Sequence, residues 1–172
     1  MKKVITLLTL TLLLAITSCE VESPTSGYQV YFACDITIPP FNQVNSFGQF
    51  ITVKRKGTNS YEVTDANGNT TTHYLTEMEM RQFYYYGLGG LIIGTPTLYY
   101  DKIWVYDWAC PACETARYRL KISRDGTGHA TCPNCHNVYD LNDEGRPVKG
   151  DTQLWNYTKY GSIIGNTFLV RN

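Results

Sequence analysis

Charge is scarce in this chain: Asp, Glu, Lys and Arg make up 17% of its 172 residues, and 15 basic against 15 acidic side chains leave a formal net charge of zero. The only basic run is Lys54-Arg55-Lys56. Phosphate backbones are held by a basic face, so nucleic acid is excluded as a partner. Beyond residue 18 there is no run of about 18 apolar residues, so no later segment has the pattern of a membrane-spanning helix. Low complexity and internal repeats are also absent. What is abundant is aromatic and β-branched material, with 14 Tyr and 14 Gly spread along the chain, and this excludes intrinsic disorder and indicates a β-rich domain with a core.

The N-terminus reads as an address. Met1-Lys2-Lys3 is a positive n-region, and Val4 to Ile16 is an apolar run of h-region length, too short to span a bilayer. Ile16-Thr17-Ser18-Cys19 resembles a bacterial lipobox, which implies cleavage after residue 18 and lipidation of Cys19. Such a cut removes Lys2 and Lys3 and no acid, leaving the mature chain slightly acidic. Residues 19–27 carry Ser, Pro, Gly and acid without a hydrophobic period, the composition of a flexible tether, and a single domain follows over 28–172. The expected location is the bacterial cell envelope, with the membrane as partner through Cys19. Because no Asp follows Cys19, the outer membrane is favoured, facing either the periplasm or outward. An envelope protein is the candidate second partner.

The body alternates short strand-like runs with turn residues. Strands are expected over Tyr28 to Ile38, Phe50 to Val53 and Ser60 to Thr64. The last turns at Asp65-Ala66-Asn67-Gly68-Asn69 and returns over Thr70 to Tyr74. Thr76 with Glu79 has capping-box spacing and predicts the one helix, Glu77 to about Phe83. Further strands are expected over Leu91 to Ile93, Leu98 to Tyr106, Ala116 to Arg124, Asn137 to Leu141, Leu154 to Tyr160 and Ile163 to Val170. The fold class is all-β, an antiparallel sandwich or small barrel. Tyr84-Tyr85-Tyr86 and Tyr99-Tyr100 read as core and cross-strand packing.

The chemistry lies in Cys110-Pro111-Ala112-Cys113 and Cys132-Pro133-Asn134-Cys135, two C-P-x-C units separated by 18 residues. A two-residue gap lets both thiolates of a unit converge on one ion, and a hairpin at Gly126-Thr127-Gly128 would bring the units together in a zinc-ribbon-like subdomain over about 108–141. Four soft sulfurs suit tetrahedral zinc. The same ligands also suit iron, as a single ion or a two-iron two-sulfur cluster. Disulfides in an oxidising compartment, or a reactive dithiol, are the remaining readings. His136 is a candidate outer-shell group, His129 a surface or hairpin residue and Cys34 a buried small hydrophobe. No nucleophile with a general base is visible, so no catalytic residue is assigned.

Cys132-Pro133-Asn134-Cys135-His136-Asn137-Val138-Tyr139-Asp140-Leu141, with Gly145 to Gly150 after it, resembles the second cluster-binding box of Rieske proteins. Gly89-Gly90-Leu91-Ile92-Ile93 and Lys102-Ile103-Trp104-Val105-Tyr106-Asp107 are similar to the strands that deliver the first box. This likeness covers about half the chain and implies a Rieske-like fold with a small metal-binding subdomain at one end. Rieske boxes run C-x-H and C-x2-H, whereas here Cys135 stands at the second-box histidine and Ala112 at the first, with Cys113 following. The resemblance thus implies a Rieske-like lipoprotein whose cluster site has become a four-cysteine site.

Overall fold

The computed structural model describes residues 24–82, 84–98 and 102–172. Cys19, the leader and Tyr99-Tyr100 lie outside the described residues. The chain forms three antiparallel sheets and, among the described residues, one short α-helix, so it is all-β.

A five-stranded sheet is the middle layer, with strand order β4-β3-β2-β6-β7. It is built from β2 (Gln49–Arg55), β3 (Ser60–Thr64), β4 (Thr70–Tyr74), β6 (Leu91–Thr95) and β7 (Trp104–Asp107). Side chains alternate across a strand, so both faces of this sheet can be buried by different partners. Ile51, Val53, Leu91, Ile93 and Val105 point to one core, and Phe50, Ile92, Trp104 and Tyr106 to another. Two-sided burial explains why β6 and β7 are buried at every position.

The first core is closed by a four-stranded sheet of order β12-β13-β1-β5. Its strands are β1 (Val30–Asp35), β5 (Tyr85–Tyr86), β12 (Gly161–Ile164) and β13 (Thr167–Arg171). Phe32 is its centre and packs edge-on against Tyr61 and Tyr84, with centroids 5.4 and 5.6 Å away. Cys34 lies in this core, 6% exposed, and burial pushes its thiol up to about 12, with Asp35 adding to the shift. Tyr84 and Tyr86 are core residues, as their strand setting implies, while Tyr85 is exposed.

The second core is closed by the subdomain that carries the four paired cysteines, a four-stranded sheet of order β11-β10-β9-β8. Its strands are β8 (Lys121–Ile122), β9 (His129–Thr131), β10 (Val138–Asp140) and β11 (Arg146–Lys149). The β8–β9 hairpin turns through Gly126 and Gly128, both at positive φ, as their spacing predicts. The β3–β4 hairpin also follows expectation, with Gly68 alone at positive φ. Helix α1 (Glu77–Arg81) buries none of its own side chains and rests on its cap: Glu79 N–H donates to Thr76 Oγ1 and Thr76 N–H to Glu79 Oε2.

Elsewhere the strand boundaries differ from expectation. The run from Ile163 to Val170 is two strands, because Gly165 takes φ +59° and turns the chain back on itself. Residues 154–160 form no strand but run along β7 through single bonds, such as Tyr157 N–H to Val105 O at 2.8 Å, before a 3-10 turn at Thr158–Tyr160. At the other end of the described chain, Asn156 N–H donates to Pro24 O at 2.9 Å and Ser26 Oγ bonds Tyr157 Oη, so the last residues before the domain lie against it.

Candidate metal centre

The first knuckle is positioned by a buried carboxylate. Asp107 ends β7, fully buried, and accepts from the N–H groups of Leu88 (2.7 Å), Gly89 (2.9 Å) and Ala109 (2.8 Å) and from the Tyr157 hydroxyl (3.0 Å). Burial pushes its pKa above the usual carboxylate value despite these four donors. The contact also demands glycine at 89, since a Cβ there would stand 2.4 Å from Ala109 N.

From Ala109 the chain enters a turn in which Cys110 O accepts from Cys113 N–H (3.2 Å) and Glu114 N–H (3.1 Å). The segment after it divides its partners, which is why the expected strand from Ala116 to Arg124 shortens to Lys121–Ile122. Cys110 N–H donates to Tyr118 O and Leu120 N–H to Trp108 O, each at 3.0 Å, before β8 can pair with β9. The second knuckle occupies the β9–β10 turn, where Cys132 N–H donates to Asn137 O (2.9 Å) and Cys132 O accepts from His136 N–H (3.2 Å).

These two turns bring the four sulfurs of Cys110, Cys113, Cys132 and Cys135 within 4.8 Å of one another. Cys110 and Cys135 Sγ are 3.5 Å apart and Cys113 and Cys132 Sγ 3.8 Å, and all four are free thiols. A regular tetrahedron with metal–sulfur bonds of about 2.3 Å has sulfur–sulfur edges of about 3.8 Å, so the cluster has the size to hold one metal ion. Cys110 and Cys132 are buried, whereas Cys113 and Cys135 are partly exposed.

Local groups begin to ionise the site without completing it. Burial opposes ionisation of Cys132, but the backbone N–H groups of Cys135 and Asn134 and the neighbouring sulfurs outweigh it and bring that thiol down to about 7. At Cys110 burial dominates and pushes the thiol up to about 12, and burial also raises Cys135. A bound cation would supply the charge that the protein withholds. A backbone N–H aimed at sulfur is expected of such a turn, but two side-chain contacts, from Asn134 and Tyr139, were not apparent from the sequence. Asn134 donates its backbone N–H to Cys132 Sγ (3.4 Å) and its side-chain amide to Cys113 Sγ (3.5 Å), and Tyr139 Oη lies 3.5 Å from Cys110 Sγ and 3.1 Å from Thr152 Oγ1.

Neither histidine joins the four-cysteine cluster. His129 sits half-buried in β9, and the His136 side chain is exposed. His136 instead closes its knuckle with φ +60°, as Glu114 closes the first with φ +49°. That left-handed conformation costs a non-glycine residue about 1–2 kcal/mol. Glycine at either place is therefore expected to raise stability by about 0.5–1 kcal/mol after its greater unfolded-state entropy is counted. His136→Gly should shift the denaturation midpoint of metal-loaded protein upward with metal affinity unchanged; a fall in affinity would give the imidazole a part in the site.

Comparison with models of known protein families, with curated proteins and with solved structures found no match for this chain.

Proposed function

We propose that this protein is a lipid-anchored domain of the bacterial cell envelope in which Cys110, Cys113, Cys132 and Cys135 hold one zinc ion as a structural staple. The convergence of four sulfurs to tetrahedral dimensions carries this reading. Zinc has no redox chemistry and fills its coordination shell with four thiolates, so the centre's work is to hold two knuckles and three short strands together. A two-iron cluster places its two pairs of thiolates on different metals, and its sulfurs would stand farther apart than four sharing one ion.

The architecture supports a Rieske-like fold, because the subdomain that carries both knuckles is inserted between β7 and β12 of a two-sheet base. Lipidation of Cys19 places the anchor five residues before Pro24, close to the domain surface. The second reading is an electron carrier with iron on the same cysteines, and the partial exposure of Cys113 and Cys135 favours it, since electrons need a short path to a partner.

Fractionation and absorbance test both halves of the reading. Intact protein should sediment with membranes and Cys19→Ser should not, and detergent-purified protein should be colourless in visible light. A Cys19→Ser protein retained in membranes would remove the anchor, and visible bands that bleach reversibly on reduction would establish the iron carrier.

A further inference from the structure

Beside β5, away from the sulfurs, a cavity of about 440 Å³ opens at the surface, lined by Tyr28, Lys54, Arg55, Tyr85, Tyr86 and Arg119 together with the glycine turn at Gly87–Gly90. That volume suits a ligand of one or two rings. Among the described residues no Asp or Glu lines it. Lys54 and Lys56 share Glu62, at 2.7 and 3.3 Å, but among the described residues neither arginine of the lining is ion-paired. Two arginines without an ion-pair partner among the described residues therefore line the cavity.

Arg119 is also held in place before any ligand arrives. Its Nε donates to Gly89 O at 2.5 Å and its guanidinium carbon lies 5.7 Å from the centroid of Trp108. Trp108 is itself fixed by Nε1–H to Leu120 O at 2.6 Å and carries Lys54 Nζ at 5.9 Å. A guanidinium pinned by this hydrogen bond over an aromatic ring presents its remaining N–H groups in a fixed fork, the geometry that matches a carboxylate. Tyr28 and Tyr85 are 41% and 46% exposed and offer aromatic surface for a ring, while the Tyr86 hydroxyl is buried without a hydrogen-bond partner among the described residues.

We infer that this cavity binds a small ring-bearing organic carboxylate, with the carboxylate held by Arg119 and Arg55 and the ring laid against the rim tyrosines. Bare inorganic anions could use the guanidinium groups but not the aromatic surface. The site does not depend on which metal the cysteines hold.

Calorimetric titration of the purified protein, with its natural metal content, uses benzoate and glucuronate as probes, benzamide and glucose as their uncharged partners, and inorganic phosphate. At least one of the two carboxylates should saturate at about millimolar concentration or below and bind more tightly than its uncharged partner and phosphate. Arg119→Gln and Arg55→Gln should each weaken it at least about tenfold, the effect of losing one charge-assisted contact. Arg55 is exposed and its Nε donates to Gly57 O in its own turn, so Arg55→Gln should melt like the parent and keeps the test valid if Arg119→Gln folds poorly. Failure of both carboxylates to saturate, equal binding of the uncharged partners or phosphate, or a folded Arg55→Gln protein that binds like the parent would each overturn the proposal.

Discussion

Replacing Cys132 with Ser is expected to melt the segment from Cys110 to Leu141 while leaving the two-sheet base folded. The strands that carry the knuckles, Lys121–Ile122, His129–Thr131 and Val138–Asp140, are two or three residues long and cannot persist on ladder bonds alone. A structural zinc contributes about 10–16 kcal/mol of apparent binding energy in small zinc domains, the order of a whole domain's stability, so loss of one thiolate removes several kcal/mol. The base has its own core around Phe32, Ile51, Ile93 and Val170, which contains none of the four cysteines. Hydrogen exchange should show protection lost over Cys110–Leu141 and kept in β1, β2 and β6, and a strong chelator should reproduce the pattern in the parent protein. Cys34→Ser should leave metal content unchanged. Uniform loss of protection across the chain would show that the layers are not separable.

The second large effect is expected at Asp107. Asp107→Ala removes the shared acceptor of three backbone N–H groups, two of them buried, and of the Tyr157 hydroxyl, which keeps Ser26 Oγ as a partner; at about 1–3 kcal/mol for each N–H left unsatisfied, partly relieved by relaxation, the loss should reach about 3 kcal/mol or more. Asp107→Asn keeps one acceptor oxygen and should cost about half as much. Because Ala109 is one of the tethered groups, the Ala variant should also bind metal more weakly, through a displaced first knuckle. Denaturant midpoints of metal-loaded protein, with metal titration beside them, measure both effects. An Ala variant within about 1 kcal/mol of the parent would mean that water satisfies the four donors.

The hairpin from Ser60 to Tyr74 and the capped helix were legible because their signals are local: a turn glycine at Gly68, and Thr76 three residues before Glu79. The four cysteines were legible for the same reason, each pair lying within one turn. Packing blurred the rest. Leu154 and Tyr157 are apolar because they plug the cores, not because they alternate in a strand. The exposed, charged Arg146–Lys149 was invisible as a strand since pairing with β10, not burial, holds it. Asp107 lies 18 residues beyond Gly89, a contact only the folded sheet creates, and the left-handed closures at Glu114 and His136 lack the glycine that would have marked them.

Metal analysis of the natively isolated protein, with thiols counted before and after chelation, tests the central claim most directly. The account predicts one zinc per chain and four thiols that become reactive only when the chelator removes it. Iron in place of zinc, or cysteines unreactive until a reductant is added, would contradict it.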